Sequence, residues 1–76
     1  MSDELEHEAA SADAEASKLY AESAQDFVAA AHFKIEGDEE LSGAHYKDAV
    51  DERAQGDAEH GQAEEFRHEA EQMNEG

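Results

Sequence analysis

The chain has 76 residues, so it is long enough for one small domain, spanning residues 1–76, with only a marginal core of its own. Acidic side chains outnumber basic ones 22 to 5, and the formal net charge of -17 disfavours direct binding to nucleic acid or to an anionic membrane. The absence of cysteine excludes a disulfide framework, a thiolate metal site and a thiol nucleophile.

The first predicted helix covers residues 3–36, where good helix formers dominate and nothing interrupts them. Ser2 or Asp3 suits its start, and Glu6 stands where a capping-box partner of Asp3 would be. Apolar residues recur every three or four positions and predict one buried stripe. The stripe is Leu5, Ala9, Ala12, Ala16, Leu19 or Tyr20, Ala24, Phe27 or Val28, Ala31 and Ile35.

A turn is predicted at residues 37–38. Gly37 suits the left-handed position that follows a helix end, and Asp38 suits the N-cap of the next helix. So short a connection makes the two helices antiparallel neighbours.

The second predicted helix covers residues 39–74, with an alternative break at residues 56–57, where Gly56-Asp57 repeats the turn signal. Its apolar stripe runs through Gly56 without interruption, which favours one long helix over two short ones. The stripe is Leu41, His45, Ala49, Arg53, Gly56, His60, Ala63, Phe66, Ala70 and Met73. A glycine inside a helix costs about 1 kcal/mol relative to alanine, so Gly56 needs a reason such as close helix approach.

The fold class expected from these elements is all-α, an antiparallel two-helix hairpin, with a three-helix bundle as the alternative. Most apolar residues are alanine, which contributes little buried area. We therefore expect two hairpins to pair as a homodimer and form a four-helix bundle. The acidity is typical of proteins adapted to salty cytoplasm, where screening weakens self-repulsion.

The expected role is a non-catalytic interaction or structural one that involves protein partners. A rival interpretation is a nucleic-acid mimic of the phage type, which would inhibit a DNA- or RNA-binding protein by occupying its basic cleft. The acidic row expected to contact such a basic protein is Asp48, Asp51 and Glu52. Tyr46 falls off the second stripe and is a candidate contact residue or part of a dimer seam.

Residues 33–51 resemble one tetratricopeptide repeat in Phe33, Gly37-Asp38, Tyr46-Lys47 and Ala49-Val50-Asp51. The segment 63–73 is similar to the last helix of microtubule-interacting-and-trafficking domains, which are three-helix relatives of that repeat. These resemblances imply a helical scaffold that binds proteins or peptides. The proline expected after the repeat's second helix is absent, and only one repeat is visible.

A third interpretation is a metal-binding bundle. Glu4 with His7, and Glu65 with His68, form Glu-x-x-His pairs, the spacing that places both side chains on one helix face. A hairpin turning near Gly37 would bring the two pairs to similar heights. On a helical wheel, however, His7 and His68 point away from the apolar stripes, so we assign no metal ligands and expect adventitious ion binding at most.

His45 and His60 lie on the second stripe and are expected to be partly buried and bonded to carboxylates, or to form a buried pair that titrates. Neither a nucleophile elbow nor a phosphate-binding glycine loop is present. We therefore predict no enzymatic activity and no cofactor. No window has the length and apolarity of a signal peptide or a membrane span, so the expected location is the cytoplasm.

Overall fold

A computed structural model describes the backbone of residues 2–74 and the side chains of residues 3–73. It contains helix α1, Ser2–Glu36, and helix α2, Glu39–Asn74, which pack against each other as an antiparallel hairpin. No strand occurs in this described part. The Cα atoms extend over 60 × 13 × 11 Å, so the molecule is a thin rod.

The turn between the helices follows the local chemistry predicted for it. Gly37 has φ of +86°, the left-handed conformation that glycine adopts without a steric cost. Its N–H donates to the carbonyl of Lys34, and the Asp38 N–H donates to the carbonyl of Phe33, which together make a Schellman motif. The Asp38 carboxylate then accepts the Leu41 N–H at 3.1 Å and caps α2.

The start of α1 differs from its expected capping. Asp3 lies inside the first turn, where a carboxylate favours the positive end of the helix dipole, and is not the residue before it. The side chain of Ser2, the other predicted cap, lies outside the described residues.

Helix α2 continues through Gly56, so the alternative break at residues 56–57 does not occur. The reason for a glycine there is the ring of Tyr20 on α1. A Cβ at Gly56 would stand 2.9 Å from Tyr20 Cε1, closer than real carbon atoms approach. Gly56 therefore makes room for an aromatic ring from the facing helix.

The interface between the helices is a seam of small residues that repeats every seven positions on both sides. Such a strict repeat winds two helices around each other with a left-handed twist, and small side chains let their backbones approach closely. The seam consists of Ala9, Ala16, Ser23 and Ala30 on α1 and Ser42, Ala49, Gly56, Ala63 and Ala70 on α2. All are buried except the half-buried Ser42.

Two serines in this seam hold the helices together by reciprocal hydrogen bonds. Ser23 Oγ donates to the carbonyl of Ala49, and Ser42 Oγ donates to the carbonyl of Ala30, both at 2.7 Å. A serine is nearly as small as alanine, so each keeps the close approach while its hydroxyl finds an acceptor. The sequence stripes, which followed apolar residues alone, missed both serines.

On α1 the predicted stripe is correct near the open end of the hairpin and mostly wrong nearer the turn. After Leu19 the inward positions are Ser23, Phe27, Ala30 and Phe33, of which the stripe contained only Phe27, as the alternative to Val28. Ala24, Val28, Ala31 and Ile35 face outward instead. On α2, Glu52 and Glu59 take the half-buried places that were assigned to Arg53 and His60, and Leu41 and Met73 are exposed.

Candidate interaction surface

The core of the hairpin is built from alanine, although other alanines are exposed. Among the described residues no large side chain is fully buried, and the core around Ala9, Ala12 and Ala63 gains only the flank of Phe66. In contrast, Val28 is 70% exposed and Ile35 is 86% exposed. Both lie on the same face of α1, one seven-residue repeat apart.

An uncharged surface runs along the outer face of α1, which points away from α2. It has the same seven-residue spacing as the buried seam, and every member is exposed. The outer face of α1 comprises Ala10, Ala14, Ser17, Ala21, Ala24, Val28, Ala31 and Ile35. In a chain in which 36% of residues are charged, eight successive face positions without a charge form a distinct surface.

Beside this face, near the turn, a shallow groove runs between the helices. The ring of Tyr46 meets that of Phe27 edge-on at 5.6 Å, and Tyr46 remains 58% exposed. Lys34 and Glu39 stand at the mouth of the groove, and Gly43 opens its wall on α2. The structure thus places the candidate contact residue Tyr46 on the rim of an apolar groove.

The acidic row predicted on α2 is only partly a surface row. Asp48 and Asp51 are exposed, but Glu52 is half-buried against α1. Its Oε1 atom is buried without a hydrogen-bond partner in the described part of the chain. Glu52 was therefore wrongly placed on the exposed row, because the inward position that was assigned to Arg53 belongs to Glu52.

Glu52 belongs to a polar cluster between the helices, together with Glu22, Asp26 and His45. A hydrogen bond with the Asp26 carboxylate, desolvation and the charges of Asp26 and Glu22 raise the pKa of Glu52 to about 7. Hydrogen bonds from Glu52 and His45 lower the pKa of Asp26. Two neighbouring carboxylates repel each other, and a proton on Glu52 relieves that repulsion.

The two histidines of the second stripe have different surroundings. His45 Nδ1 lies 2.9 Å from Asp26 Oδ1, and its ring stacks on Phe33 at 5.4 Å, so this histidine is partly buried as expected. His60 is more exposed and lies 3.3 Å from Asp13. Since the two rings stand far apart along α2, they do not form a buried pair.

Further polar contacts link the helices at Asp13 and Tyr20. Asp13 accepts from Arg67 as well as from His60. Tyr20 Oη donates to Asp57 at 2.5 Å, and this bond raises the pKa of the Tyr20 hydroxyl. Arg67 is one of only five lysines and arginines in the chain, and this contact pairs it with a carboxylate.

The Glu-x-x-His pairs do not assemble into a metal site. Within the described residues, no group of three or more His, Cys, Asp or Glu side chains is arranged to hold a metal ion. Glu4, His7, Glu65 and His68 are all exposed. Glu65 and His68 line a shallow surface depression with Glu64 and Glu69, and no residue of α1 lines it.

Comparison with known proteins finds no matching family model, no similar curated protein and no similar solved structure. The resemblance to helical repeats therefore remains a prediction. In the described part of the chain, neither helix has a stretch apolar and long enough to cross a membrane.

The sequence contained a signal for the surface that the stripes missed. Two sets of small or apolar residues run along α1 at the same seven-residue spacing, one through Ala9 and Ala16 and one through Ala10 and Ser17. Following the strict repeat, instead of the nearest apolar residue at each turn, separates the buried seam from the outer face.

Proposed function

We propose that this chain is a non-catalytic helical module that acts by self-association, with two hairpins pairing into a four-helix bundle whose acidic surface is adapted to high salt. The observation that supports it is that the buried apolar residues of the described chain are all alanine, while Val28, Ile35, Tyr46 and Val50 are exposed. A two-helix hairpin is a single packed layer pair, and pairing is the common way to cover such a surface.

Salt controls this association because each copy carries a net charge of -17. Two such rods repel over distances comparable to the Debye length, which falls from about 10 Å at 0.1 M salt to about 3 Å at 1 M. Side chains extend the rod beyond the 13 × 11 Å that its Cα atoms span, so at 1 M salt most charges of one copy lie more than a Debye length from those of the other and are screened. Dimer content should therefore rise steeply over this range.

Light scattering combined with circular dichroism tests the proposal, over about 0.05 to about 3 M salt. The expected result is a helical species whose mass rises from near 8.3 kDa towards twice that value as salt is added. Circular dichroism at each salt separates association of folded hairpins from salt-driven folding. A helical protein that stays at the monomer mass at every salt and at high protein concentration contradicts self-association.

A second candidate function is mimicry of a nucleic-acid strand, and the shape of the rod favours it. A length of 60 Å with a net charge of -17 places about one negative charge every 3.5 Å, close to the phosphate spacing of about 3.4 Å along one strand. A partner would be a protein with a basic cleft. The exposed pair Asp48 and Asp51 lies on this charged surface.

Competition for a basic DNA-binding protein tests mimicry. The chain is expected to displace a fluorescent DNA duplex at low salt better than a poly-glutamate peptide of equal net charge. Replacing Asp48 and Asp51 with lysine should remove most of that advantage. Displacement no better than that by poly-glutamate would show that charge alone is acting.

A further inference from the structure

We propose that the outer face of α1 is a two-fold interface, on which the same face of a second copy lies antiparallel with its centre between Ala21 and Ala24. This inference rests on the proposed self-association and assigns to it a surface, a direction and a register. The four helices then lie in the order α2, α1, α1, α2, so the hairpins meet through α1 alone, in a row that replaces the shared core of a four-helix bundle.

The charge pattern selects this face among the surfaces of a strongly acidic molecule. The eight positions of the outer face of α1 hold no charged side chain. The corresponding positions of α2 include Lys47, Asp57 and Glu64, so α2 has no uncharged equivalent. Burying the outer face of α1 therefore desolvates no charged side chain. Burying the corresponding face of α2 would desolvate several charged side chains and leave them unpaired.

The residues that flank the outer face of α1 reduce repulsion between two copies further. Between residues 10 and 35 the flanking positions carry Lys18, Lys34 and His32 and a single carboxylate, Asp13. In a two-fold antiparallel pair like flanks meet, so Asp13 faces the flank of the second copy that carries Lys34, about 3 Å away along the axis. The acidic residues of this segment other than Asp13 lie on the opposite edge or in the seam, away from the proposed contact.

The face fits itself in the antiparallel direction. The steps between its members alternate between four and three residues and read the same from both ends. Ala10 then lies opposite Ile35, Ser17 opposite Val28, and Ala21 opposite Ala24. Each bulky side chain meets a small one, which lets two helices interdigitate. A parallel pairing in register would set Ile35 against Ile35 and leave Ala10 against Ala10.

The area is that of a modest interface. From residue 10 to residue 35 a helix rises about 38 Å, and a strip about 10 Å wide gives about 400 Å² per copy. About 800 Å² in total, before the rings of Tyr20 and Phe27 at the edge are counted, is less than the roughly 1,200 Å² of stable interfaces and corresponds to a weak, transient one. A dimer of this size is weak enough for the repulsion between two copies of charge -17 to decide its formation.

Single-cysteine variants test the direction and register, and the absence of native cysteine makes every cross-link specific. Ala14→Cys and Ala31→Cys alter exposed alanines that lie opposite each other in the proposed dimer. Oxidising an equal mixture at high salt should give the mixed disulfide dimer. Either variant alone should cross-link poorly, because its two cysteines lie about 25 Å apart along the axis.

The outcomes separate this inference from the function on which it rests. Mixed cross-links together with a dimer mass support both. A dimer mass with no mixed cross-link, or with Ala14→Cys cross-linking mainly to itself, overturns the antiparallel interface but leaves self-association intact. A monomer mass for the unmodified chain at every salt overturns both.

A charge variant provides a second measurement that needs no cysteine. Ala24→Glu puts a carboxylate at the centre of the interface and should weaken dimerisation by about tenfold or more, since the carboxylate would be buried without a partner. Ala58→Glu is the matched control, because it makes the same change at an exposed position of α2. Equal dimerisation of the two variants, both helical by circular dichroism, would overturn the assignment.

Discussion

Replacing Gly56 with alanine measures the close approach of the helices directly. In an unobstructed helix interior, glycine to alanine stabilises by about 1 kcal/mol. At Gly56, however, the added Cβ would meet Tyr20 Cε1 at 2.9 Å and Cδ1 at 3.0 Å. The ring must therefore move by about half an ångström to reach ordinary contact, and its 2.5 Å hydrogen bond to Asp57 is then disturbed.

Gly61 supplies a matched control on the same helix. A Cβ at Gly61 would meet nothing within 4 Å, so Gly61→Ala should show the full gain of about 1 kcal/mol. For a domain of this length, 1 kcal/mol corresponds to a Tm change of about 4–8 °C. Gly56→Ala is expected to show little or none of that gain, or a loss, in thermal unfolding followed by circular dichroism at high salt.

Removing the ring completes the test as a double-mutant cycle. In a Tyr20→Ala background, Gly56→Ala should recover a stabilisation of about 1 kcal/mol and match Gly61→Ala. If Gly56→Ala stabilises the unaltered chain as much as Gly61→Ala does, Tyr20 does not rest on Gly56, and the explanation of this glycine is refuted.

Two further predictions concern the seam. The pKa of Glu52 is raised from 4.5 to about 7, so the folded state holds the proton more tightly and the chain should lose stability as pH rises through that window. Glu52→Gln should flatten this part of a pH series of thermal melts. Glu59→Gln, seven residues later on the same side of α2, should not. Ala63→Leu, at a position with 0% exposure, should cost about 1–3 kcal/mol in thermal unfolding, while exposed Ala58→Leu should change stability little; equal effects would mean that the seam is not closely packed.

The turn could be predicted from the sequence because its chemistry is local. Gly37 and Asp38 act on backbone groups within five residues of themselves, so their residue types are sufficient to indicate a helix end and a new cap. The continuity of α2 could also be predicted, since the spacing through Gly56 stayed helical. The reason for Gly56 could not, because Tyr20 lies 36 residues away in the chain.

The inward face near the turn could not be predicted from apolar spacing, because polar residues occupy it. Three polar side chains face the partner helix and make hydrogen bonds at the interface: Ser23, Asp26 and Glu52. In contrast, Val28 and Ile35 point to water. A rule that places apolar residues inside must choose the wrong side under these conditions. The strict seven-residue repeat of small side chains marks the buried side of α2, but α1 has two such repeats, through Ala9 and through Ala10, and the repeat alone does not choose between them.

The two helices therefore differ in how much uncharged surface they present for association. Helix α1 has small residues at seven-residue spacing on two sides, the seam through Ala9 and the outer face through Ala10, so it can be covered on both. Helix α2 has such a repeat only on its seam side, and its outer positions carry charges such as Asp57 and Glu64. An assembly that buries apolar surface without burying charge must place the two α1 helices at its centre and the two α2 helices outside. The acidic surface then faces solvent, where salt can screen it.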